Sequence, residues 1–294
     1  MIILSQVGVR LKSVSIFLDK ESILPGETLS GQITIRTSKP FECNRVVLKV
    51  VGKERTVHGS GEYQTTQEQY NITRAFRILE GGVLPEGVTR LPFSFTLPRR
   101  IPPSYKGFNG SIEYSVEAII EVNWAADPRT KRSFNVLQER PRNTPIYHEI
   151  RPLTDKSGKL HVQLDSNILR MKQGIKMRFS VSERGRVRGV QVEIRRREEA
   201  RCYQHVMKQD TILDHRYCPL TTDDFDTWKD VRMGEGWSYD MSFYGDLISV
   251  SYHLKVSLDV SFGFDPEIII PLQILDEASI DDVLDAIESD LGWL

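Results

Sequence analysis

The chain has 294 residues, of which 39% are hydrophobic and 27% are charged, and its net charge is −1. These values are typical of globular domains, so they exclude an intrinsically disordered chain, and the charge balance does not indicate nucleic-acid binding. At roughly 100–200 residues per domain, the length predicts two domains.

The cysteines and the amino-terminal sequence predict a cytoplasmic protein. Cys43, Cys202 and Cys218 are too few, and odd in number, for a disulfide framework, which favours a reducing compartment. The apolar run after Met1 is only three residues long, too short for the core of a secretory signal. No stretch approaches the roughly 20 apolar residues of a membrane-spanning helix.

The first part of the chain predicts short strands separated by turns. Val7–Leu18 alternates between apolar and polar residues, with one change of phase that indicates a β-bulge. Thr28–Thr37 and Arg45–Val51 are rich in β-branched residues and predict strands, whereas the polar stretch Gly52–Glu62 predicts a loop. Tyr70–Leu79 predicts the next strand, and the residues 80–89, with three glycines and a proline, predict a turn.

A proline-rich crossover lies at the centre of this first domain. Leu91–Leu97 alternates as a half-buried strand does, and Ile112–Val122 is a second, longer alternating strand. Between them, Pro98, Pro102 and Pro103 remove backbone donors, so the chain cannot remain in a sheet there. A strand, a proline crossover and a long strand indicate the connection between the two sheets of a β-sandwich.

The same strand pattern repeats in the second half. Prolines 141, 145 and 152 lie in a polar segment and mark a domain boundary, while Thr221–Trp237 predicts a long loop. The predicted strands are Leu160–Leu164, Ile175–Val181, Val187–Arg195, Tyr203–Leu213, Leu247–Phe262 and Glu267–Ile274. The fold prediction is all-β: two tandem antiparallel β-sandwiches, residues 1–140 and 141–275, followed by the segment 276–294.

That last segment changes from strand periodicity to helix periodicity. Its aliphatic residues recur at i, i+3, i+4, i+7 and i+11 and so share one face of a helix; they are Ile280, Val283, Leu284, Ile287 and Leu291. The segment also has seven acidic residues and no Lys or Arg, which leaves the rest of the chain net basic. It predicts a short acidic amphipathic helix that docks on the basic body, releasably or permanently, or in the groove of a partner.

Three stretches of the first domain, and two of the second, resemble the arrestin family. LPGETLSGQITIRT at 24–37, RVVLKVVG at 45–52 and LPFSFTLPRRIPPSYKGFNGSIEYSVEAIIEV at 91–122 are similar to the arrestin amino-terminal domain. In the second half, ISVSYHLKVSLDVSF and EIIIPLQI resemble the closing strands of the arrestin carboxy-terminal domain. This family includes α- and β-arrestins, the arrestin-like subunit of retromer and bacterial sporulation-control proteins.

The resemblance implies a non-enzymatic adaptor or scaffold that joins cargo, receptors or signalling proteins to trafficking or signalling machinery. It implies no cofactor. An alternative within the family is a structural subunit of a retromer-like membrane coat. Receptor-regulating arrestins carry adjacent lysines in the first strand, where this chain has Arg10 and Lys12 in alternate positions.

Basic residues of the second domain are the other candidate partner-binding groups. They are Arg184, Arg186, Arg188, Arg195, Arg196, Arg197 and Arg201. Guanidinium groups bind carboxylates and phosphates well, so we expect partners with acidic or phosphorylated segments, and peripheral association with a membrane is a further expectation. The default alternative is a solvated charged face.

Two further motifs carry weaker predictions. Cys202, His205, His215 and Cys218 form a C-x2-H…H-x2-C pattern of residues that zinc accepts, but residues i and i+3 of a strand point to opposite faces. A metal-binding protein is therefore the less favoured alternative, and no metal site is predicted. The PPSY sequence at 102–105 matches a WW-domain ligand, but its position in the crossover favours a structural role. No nucleophile elbow, phosphate loop or H-E-x-x-H motif is present, so no catalysis is predicted.

Overall fold

A computed structural model of the chain describes residues 10–123, 126–138, 148–170, 172–182, 187–236, 242–261 and 265–275. These ranges consist mainly of β-strands with two short 3₁₀ turns, and the predicted all-β class is confirmed. The predicted C-terminal helix lies outside the described residues. The chain divides into two compact units: unit 1 comprises Met1–Glu139, Ala200–Met207 and Gly245–Ile248, and unit 2 comprises the rest.

The two sheets of unit 1 have three and six strands. The smaller sheet has the order β1-β3-β6, and the larger has the order β2-β9-β8-β4-β5, with β7 paired to β8. The strands are β1 (Leu11–Leu18), β2 (Ser22–Ile23), β3 (Thr28–Thr37), β4 (Phe41–His58), β5 (Thr65–Leu84), β6 (Gly87–Thr96), β7 (Tyr105–Lys106), β8 (Gly110–Glu121) and β9 (Arg129–Val136); a 3₁₀ turn (Gly61–Tyr63) joins β4 to β5.

Alternate residues of these strands form the core of unit 1. Ile33 and Ile35 of β3, Val46 and Leu48 of β4, and Val116 of β8 are at most 1% exposed. The change of phase predicted in the first strand is a real irregularity, because the β1–β3 register shifts between Leu11 and Ser13. The buried side chains of β3 and β4 thus recur with a period of two along each strand.

The predicted crossover is confirmed, because it connects β6 of the smaller sheet to β8 of the larger one. The Tyr114 hydroxyl donates to the carbonyl of Pro102 at 2.6 Å, and Ser104 Oγ accepts from the Val136 N–H at 2.9 Å. Pro103 is buried and Tyr105 is half-buried at the start of β7. The PPSY sequence is thus held in the sandwich by both its backbone and its side chains.

The predicted loop at Gly52–Glu62 is wrong, because β4 continues through Gly52 to His58. A Cβ at Gly52 would lie 2.3 Å from Tyr114 Cε1, so glycine here permits close packing against β8 and does not end the strand. The turn predicted at residues 80–89 is also too long, since β5 extends to Leu84 and β6 begins at Gly87.

Unit 2 contains a ten-stranded set with the order β10-β11-β13-β12-β19-β18-β14-β15, with β16 paired to β13 and β17 to β18. Its strands are β10 (His148–Thr154), β11 (Leu160–Ser166), β12 (Ile168–Arg170), β13 (Gln173–Val181), β14 (Val187–Cys202), β15 (His205–Pro219), β16 (Lys229–Glu235), β17 (Phe243–Tyr244), β18 (Ile248–Val260) and β19 (Glu267–Leu275); a 3₁₀ turn spans Thr222–Asp224.

Two predictions for this half are corrected. The predicted loop Thr221–Trp237 contains β16, which pairs with β13 and has Val231 and Met233 buried. The strand predicted to end at Arg195 is longer, since β14 reaches Cys202, and the strand predicted at Tyr203–Leu213 begins later and ends later, since β15 is His205–Pro219. Arginine-rich sequence remains in the strand because several of these arginines have carboxylate partners, as described below.

Candidate protein-interaction surface

The inner face of β4 changes from apolar to polar towards its end. Val46, Leu48 and Val50 are at most 1% exposed, and Glu54 and Thr56, further along the same face, are both 0% exposed. Side chains two residues apart on a strand share a face, so these five belong to one row. Because a buried carboxylate or hydroxyl is costly without hydrogen-bond partners, another part of the chain must supply them here.

The backbone of residues 245–248 supplies the partners of Glu54. Its Oε1 accepts from the Asp246 N–H at 3.0 Å, and its Oε2 accepts from the N–H groups of Leu247 at 2.7 Å and Ile248 at 3.1 Å. A Cβ at Gly245 would lie 2.7 and 2.8 Å from the two carboxylate oxygens. Consecutive N–H groups that converge on an anion form a backbone nest, and we call Glu54 with residues 245–248 the Glu54 cradle.

Two residues further along β4, the next contacts are with the turn that follows β14. The Thr56 hydroxyl donates to the carbonyl of Arg201 at 2.7 Å. At the end of the strand the imidazole of His58 stacks on that of His205, with ring centroids 4.2 Å apart and planes only 4° from parallel. These contacts fix residues 201–205 along the last part of β4.

The same turn is also fixed to β5. The Tyr203 N–H donates to Gln67 Oε1, and Cys202 Sγ lies 3.6 Å from the carbonyl oxygen of Thr65. Tyr203 has a positive φ of 53°, the left-handed conformation that closes a tight turn. Strands β14 and β15 therefore reverse direction beside the β4–β5 hairpin, within unit 1.

Three turns consequently expose aromatic side chains at one end of unit 1. The β4–β5 hairpin carries Tyr63, which is 88% exposed, and the turn after β14 carries Tyr203, which is 61% exposed. Because the Val57 N–H donates to the carbonyl of Asn109 at 2.9 Å, the turn before β8 lies beside the same hairpin, and its Phe108 is 78% exposed. We call Tyr63, Phe108 and Tyr203 the aromatic crest.

Sequence reasoning missed the aromatic crest. Each aromatic residue stands alone in a polar turn, and only the fold brings the three turns together. A usable signal was present for two of them, since a glycine stands two residues before Tyr63 and directly before Phe108. An aromatic residue beside a turn-forming glycine is displayed to solvent, and exposed aromatic residues are enriched at protein interfaces.

The candidate residues of the first strand are exposed. Arg10 precedes β1, its carbonyl accepts from the Ser38 N–H at 2.8 Å, and its side chain is open to solvent, as is that of Lys12. One residue separates the two cations in the sequence, and the β1–β3 register shift lies beside them, between Leu11 and Ser13.

The arginines of β14 already have carboxylate partners in the chain. Arg197 makes a bidentate pair with Asp210, with distances of 2.7 and 2.8 Å, and Arg195 Nε donates to Glu193 at 2.7 Å. Hydrogen bonding from Arg197 lowers the pKa of Asp210 below its ordinary value, against the opposing effect of burial. Arg188 pairs with Asp259, which also accepts from the Tyr217 hydroxyl at 2.9 Å.

Arg201 and Arg196 complete the described part of this arginine group, and Arg201 is exposed in unit 1. Arg184 and Arg186 lie outside the described residues, as do the five aliphatic residues predicted for tail docking (Ile280, Val283, Leu284, Ile287 and Leu291). The structure therefore places Arg188, Arg195 and Arg197 in ion pairs within unit 2.

The four residues of the zinc pattern do not come together. His205 and His215 lie on the same strand, β15, and ten residues at about 3.3 Å each separate them by about 33 Å. Cys202 is buried beside Thr65, and His205 stacks on His58. In the described part of the chain, no group of three or more His, Cys, Asp or Glu side chains is arranged to hold a metal ion.

Unit 1 is thus a two-sheet β structure with three exposed aromatic residues on its turns. Residues 14–141 match the family model for the arrestin (or S-antigen) N-terminal domain. This region of the chain, which contains most of unit 1, is therefore similar to an arrestin N-terminal domain. Among the described residues, none of the helical segments is long and apolar enough to cross a membrane.

Curated relatives are similar over the same region. The chain is 30% identical over 135 residues to "Arrestin domain-containing protein 17" of Caenorhabditis elegans, covering 40% of this chain and 32% of that protein. It is 27% identical over 157 residues to "Arrestin domain-containing protein 4" of Mus musculus, covering 46% and 38%, and 26% identical to the Homo sapiens protein of the same name over 156 residues, covering 46% and 37%. The matched region spans about a third to two-fifths of the length of these relatives.

Proposed function

We propose that this chain is a non-enzymatic adaptor that binds protein partners through the aromatic crest. The observation that carries the proposal is the exposure of Tyr63, Phe108 and Tyr203 (88%, 78% and 61%) on adjoining turns of a domain from an adaptor family. Exposed aromatic surface is unfavourable in water, and burying it in a complex contributes about 25 cal/mol per Å². The crest therefore suits apolar or aromatic residues of a partner.

The supports of the crest favour tight recognition. Tyr203 is anchored by Gln67, and the turn before β8 is anchored by the hydrogen bond between Val57 and Asn109. A turn already held in one conformation loses little conformational entropy on binding, so more of the contact energy appears as affinity. We expect the crest to act as a preformed surface.

The finer partner chemistry belongs to the same proposal. Arg10 and Lys12 are exposed cations and suit acidic or phosphorylated segments of a partner. Arg188, Arg195 and Arg197 would first have to release a carboxylate of their own chain before binding one of a partner. We therefore rank them after Arg10 and Lys12 as candidate partner-binding groups. The acidic segment 276–294 would compete for the same cations, and the site of action would be the cytoplasm, where the three cysteines stay reduced.

Proximity labelling in the native cell tests this function. Wild type is compared with a crest variant carrying Tyr63→Ser, Phe108→Ser and Tyr203→Asn, the last because asparagine tolerates a positive φ. Phe17→Ser is the matched control, since Phe17 is a 65% exposed aromatic on β1, in the other sheet of unit 1. A partner recovered with wild type is then purified and its Kd for each variant is measured.

We expect the crest variant to lose that partner and Phe17→Ser to retain it. Truncating one interface aromatic commonly costs more than about 1 kcal/mol, so each single substitution should weaken binding by roughly fivefold or more. Equal binding by the crest variant and wild type would refute the proposal.

A chain ending at residue 275 should bind an acidic partner more tightly than the full chain does. If it does not, the segment 276–294 does not compete for the basic residues. Partners that are recovered in stoichiometric amounts, resist salt and bind the crest variant as well as wild type would favour the alternative, a structural subunit of a membrane coat.

A further inference from the structure

A cleft of about 410 Å³ opens in unit 2, away from the residues discussed so far. Lys176 of β13 and Arg232 of β16 line it, and the antiparallel register places these two residues directly opposite each other. Both side chains are exposed. Pockets for small ligands typically have about 300–1,000 Å³, so the cleft has the size of a small-molecule site.

The opposed cations are unfavourable in the free protein. Like charges directly opposite each other on neighbouring strands repel, whereas the adjacent row of the same sheet pairs Arg178 with Asp230. Within the described residues, Lys176 makes no salt bridge, and Arg232 is 3.8 Å from Glu235, with both of those side chains about half exposed. An exposed pair of that kind contributes little. An anion between Lys176 and Arg232 would remove the repulsion.

The rest of the cleft specifies what the anion is attached to. Asp165 supplies an acceptor, and Gln173 supplies both an acceptor and donors. Ser166 Oγ accepts from the Ile168 N–H at 3.3 Å, which leaves its hydroxyl proton for a ligand. A second anionic group would be repelled by Asp165, whereas a hydroxyl could donate to it. Gly174 and the buried Ile168 and Ile175, each 4% exposed, are the other described residues of the lining.

We propose that this cleft binds a small phosphate monoester that carries hydroxyl groups. Lys176 and Arg232 hold the phosphate through charge-assisted hydrogen bonds, and Asp165, Ser166 and Gln173 hold the hydroxyl-bearing end. The proposal is independent of the crest, because the described residues that line the cleft all belong to unit 2.

The test is ¹³C-methyl NMR on the full chain, with glucose 6-phosphate as the probe and glucose and inorganic phosphate as comparisons. The methyl groups of Ile168 and Ile175 report directly on the cleft. We expect both to shift with glucose 6-phosphate at millimolar concentration, to shift less with phosphate and not at all with glucose. Lys176→Gln and Arg232→Gln should each weaken binding by about tenfold or more, as loss of a charge-assisted bond implies. Lys156→Gln, on an exposed turn of unit 2, is the control and should bind as wild type does.

The thermal unfolding midpoint of Lys176→Gln checks folding independently of binding. It should be unchanged or raised, because the substitution removes a like-charge repulsion. Asp165→Asn should retain phosphate binding and lose the preference for glucose 6-phosphate. The proposal would be overturned if the Ile168 and Ile175 methyl signals did not shift when glucose 6-phosphate is added. It would also be overturned if Lys176→Gln and Arg232→Gln bound glucose 6-phosphate as tightly as wild type does. Binding that is confined to a phosphoserine peptide or to phosphatidylinositol phosphate vesicles would overturn it as well.

Discussion

The Glu54 cradle offers the sharpest test of how unit 1 is held together. Glu54→Gln keeps the shape of the side chain but replaces one carboxylate oxygen with an NH₂ group. In its better orientation, the remaining oxygen still accepts from Leu247 and Ile248, and the NH₂ group faces the Asp246 N–H, which is also a donor. One hydrogen bond is lost, and the other two lose their charge.

The magnitude follows from those contacts. A hydrogen bond to a charged group contributes about 1.5–3 kcal/mol, so we expect the local free energy that holds residues 246–248 to fall by about 2–3 kcal/mol. Since 1.4 kcal/mol corresponds to a factor of ten, the equilibrium for local opening should rise by roughly 30-fold or more. Glu54 is 0% exposed, so water cannot replace the lost acceptor without such opening.

Hydrogen–deuterium exchange of the Asp246, Leu247 and Ile248 amides measures this directly. Exchange from locally opened states reports the free energy of that opening. Glu113→Gln is the matched control, because Glu113 is an exposed glutamate on β8, the strand next to β4, and should leave those amides unchanged. If the three amides exchange at the wild-type rate in Glu54→Gln, the cradle does not hold this segment and the reasoning fails.

Two further predictions concern stability. Gly52→Ala should lower the free energy of unfolding by about 1–3 kcal/mol, because its Cβ would lie 2.3 Å from the Tyr114 ring. The control is Gly82→Ala on β5, which has no atom within 4 Å of its Cβ and should be close to wild type in urea denaturation. Equal losses of stability in the two variants would contradict the packing argument. Burial of Asp155 would raise its pKa, but hydrogen bonds from Leu160, Ser157 and Lys159 outweigh that effect and lower it. The contribution of ionised Asp155 to stability is therefore complete above its unfolded pKa of about 3.9 and is lost as the pH falls through the lower folded pKa. The urea midpoint of Asp155→Asn should therefore change less between pH 5 and pH 2 than the urea midpoint of wild type. Parallel pH profiles of the two proteins would count against this prediction.

Much of the fold could be predicted because its signals are local. β-Branched residues identified the strand β3, alternation of apolar residues identified β6 and β8, and the prolines at 98, 102 and 103 identified the crossover between sheets. The end of β4 could not be predicted this way. Its buried residues there are Glu54 and Thr56, so a search for apolar alternation ends at Val50 although the strand continues to His58.

The candidate sites divide along the same line. Charge pattern alone selected Arg188, Arg195 and Arg197, but the structure pairs each with a carboxylate from elsewhere in the sheet or strand. The arginine-rich stretch itself does not indicate which acidic side chains pair with it, because those partners can come from a neighbouring strand. The aromatic crest shows the opposite case, since its three aromatic residues are far apart in the sequence and stand on neighbouring turns only in the folded unit 1.

The sequence by itself determined the all-β class, the crossover and the likeness to arrestins, because periodicity and turn chemistry act over a few residues. The tertiary structure alone decided which polar groups are buried partners and which aromatic groups are displayed together. The acceptors and donors of the Glu54 cradle are 192 to 194 residues apart in the chain. No local pattern records such a pairing, and it forms only when folding makes an unpaired buried carboxylate costly and brings its donors within reach.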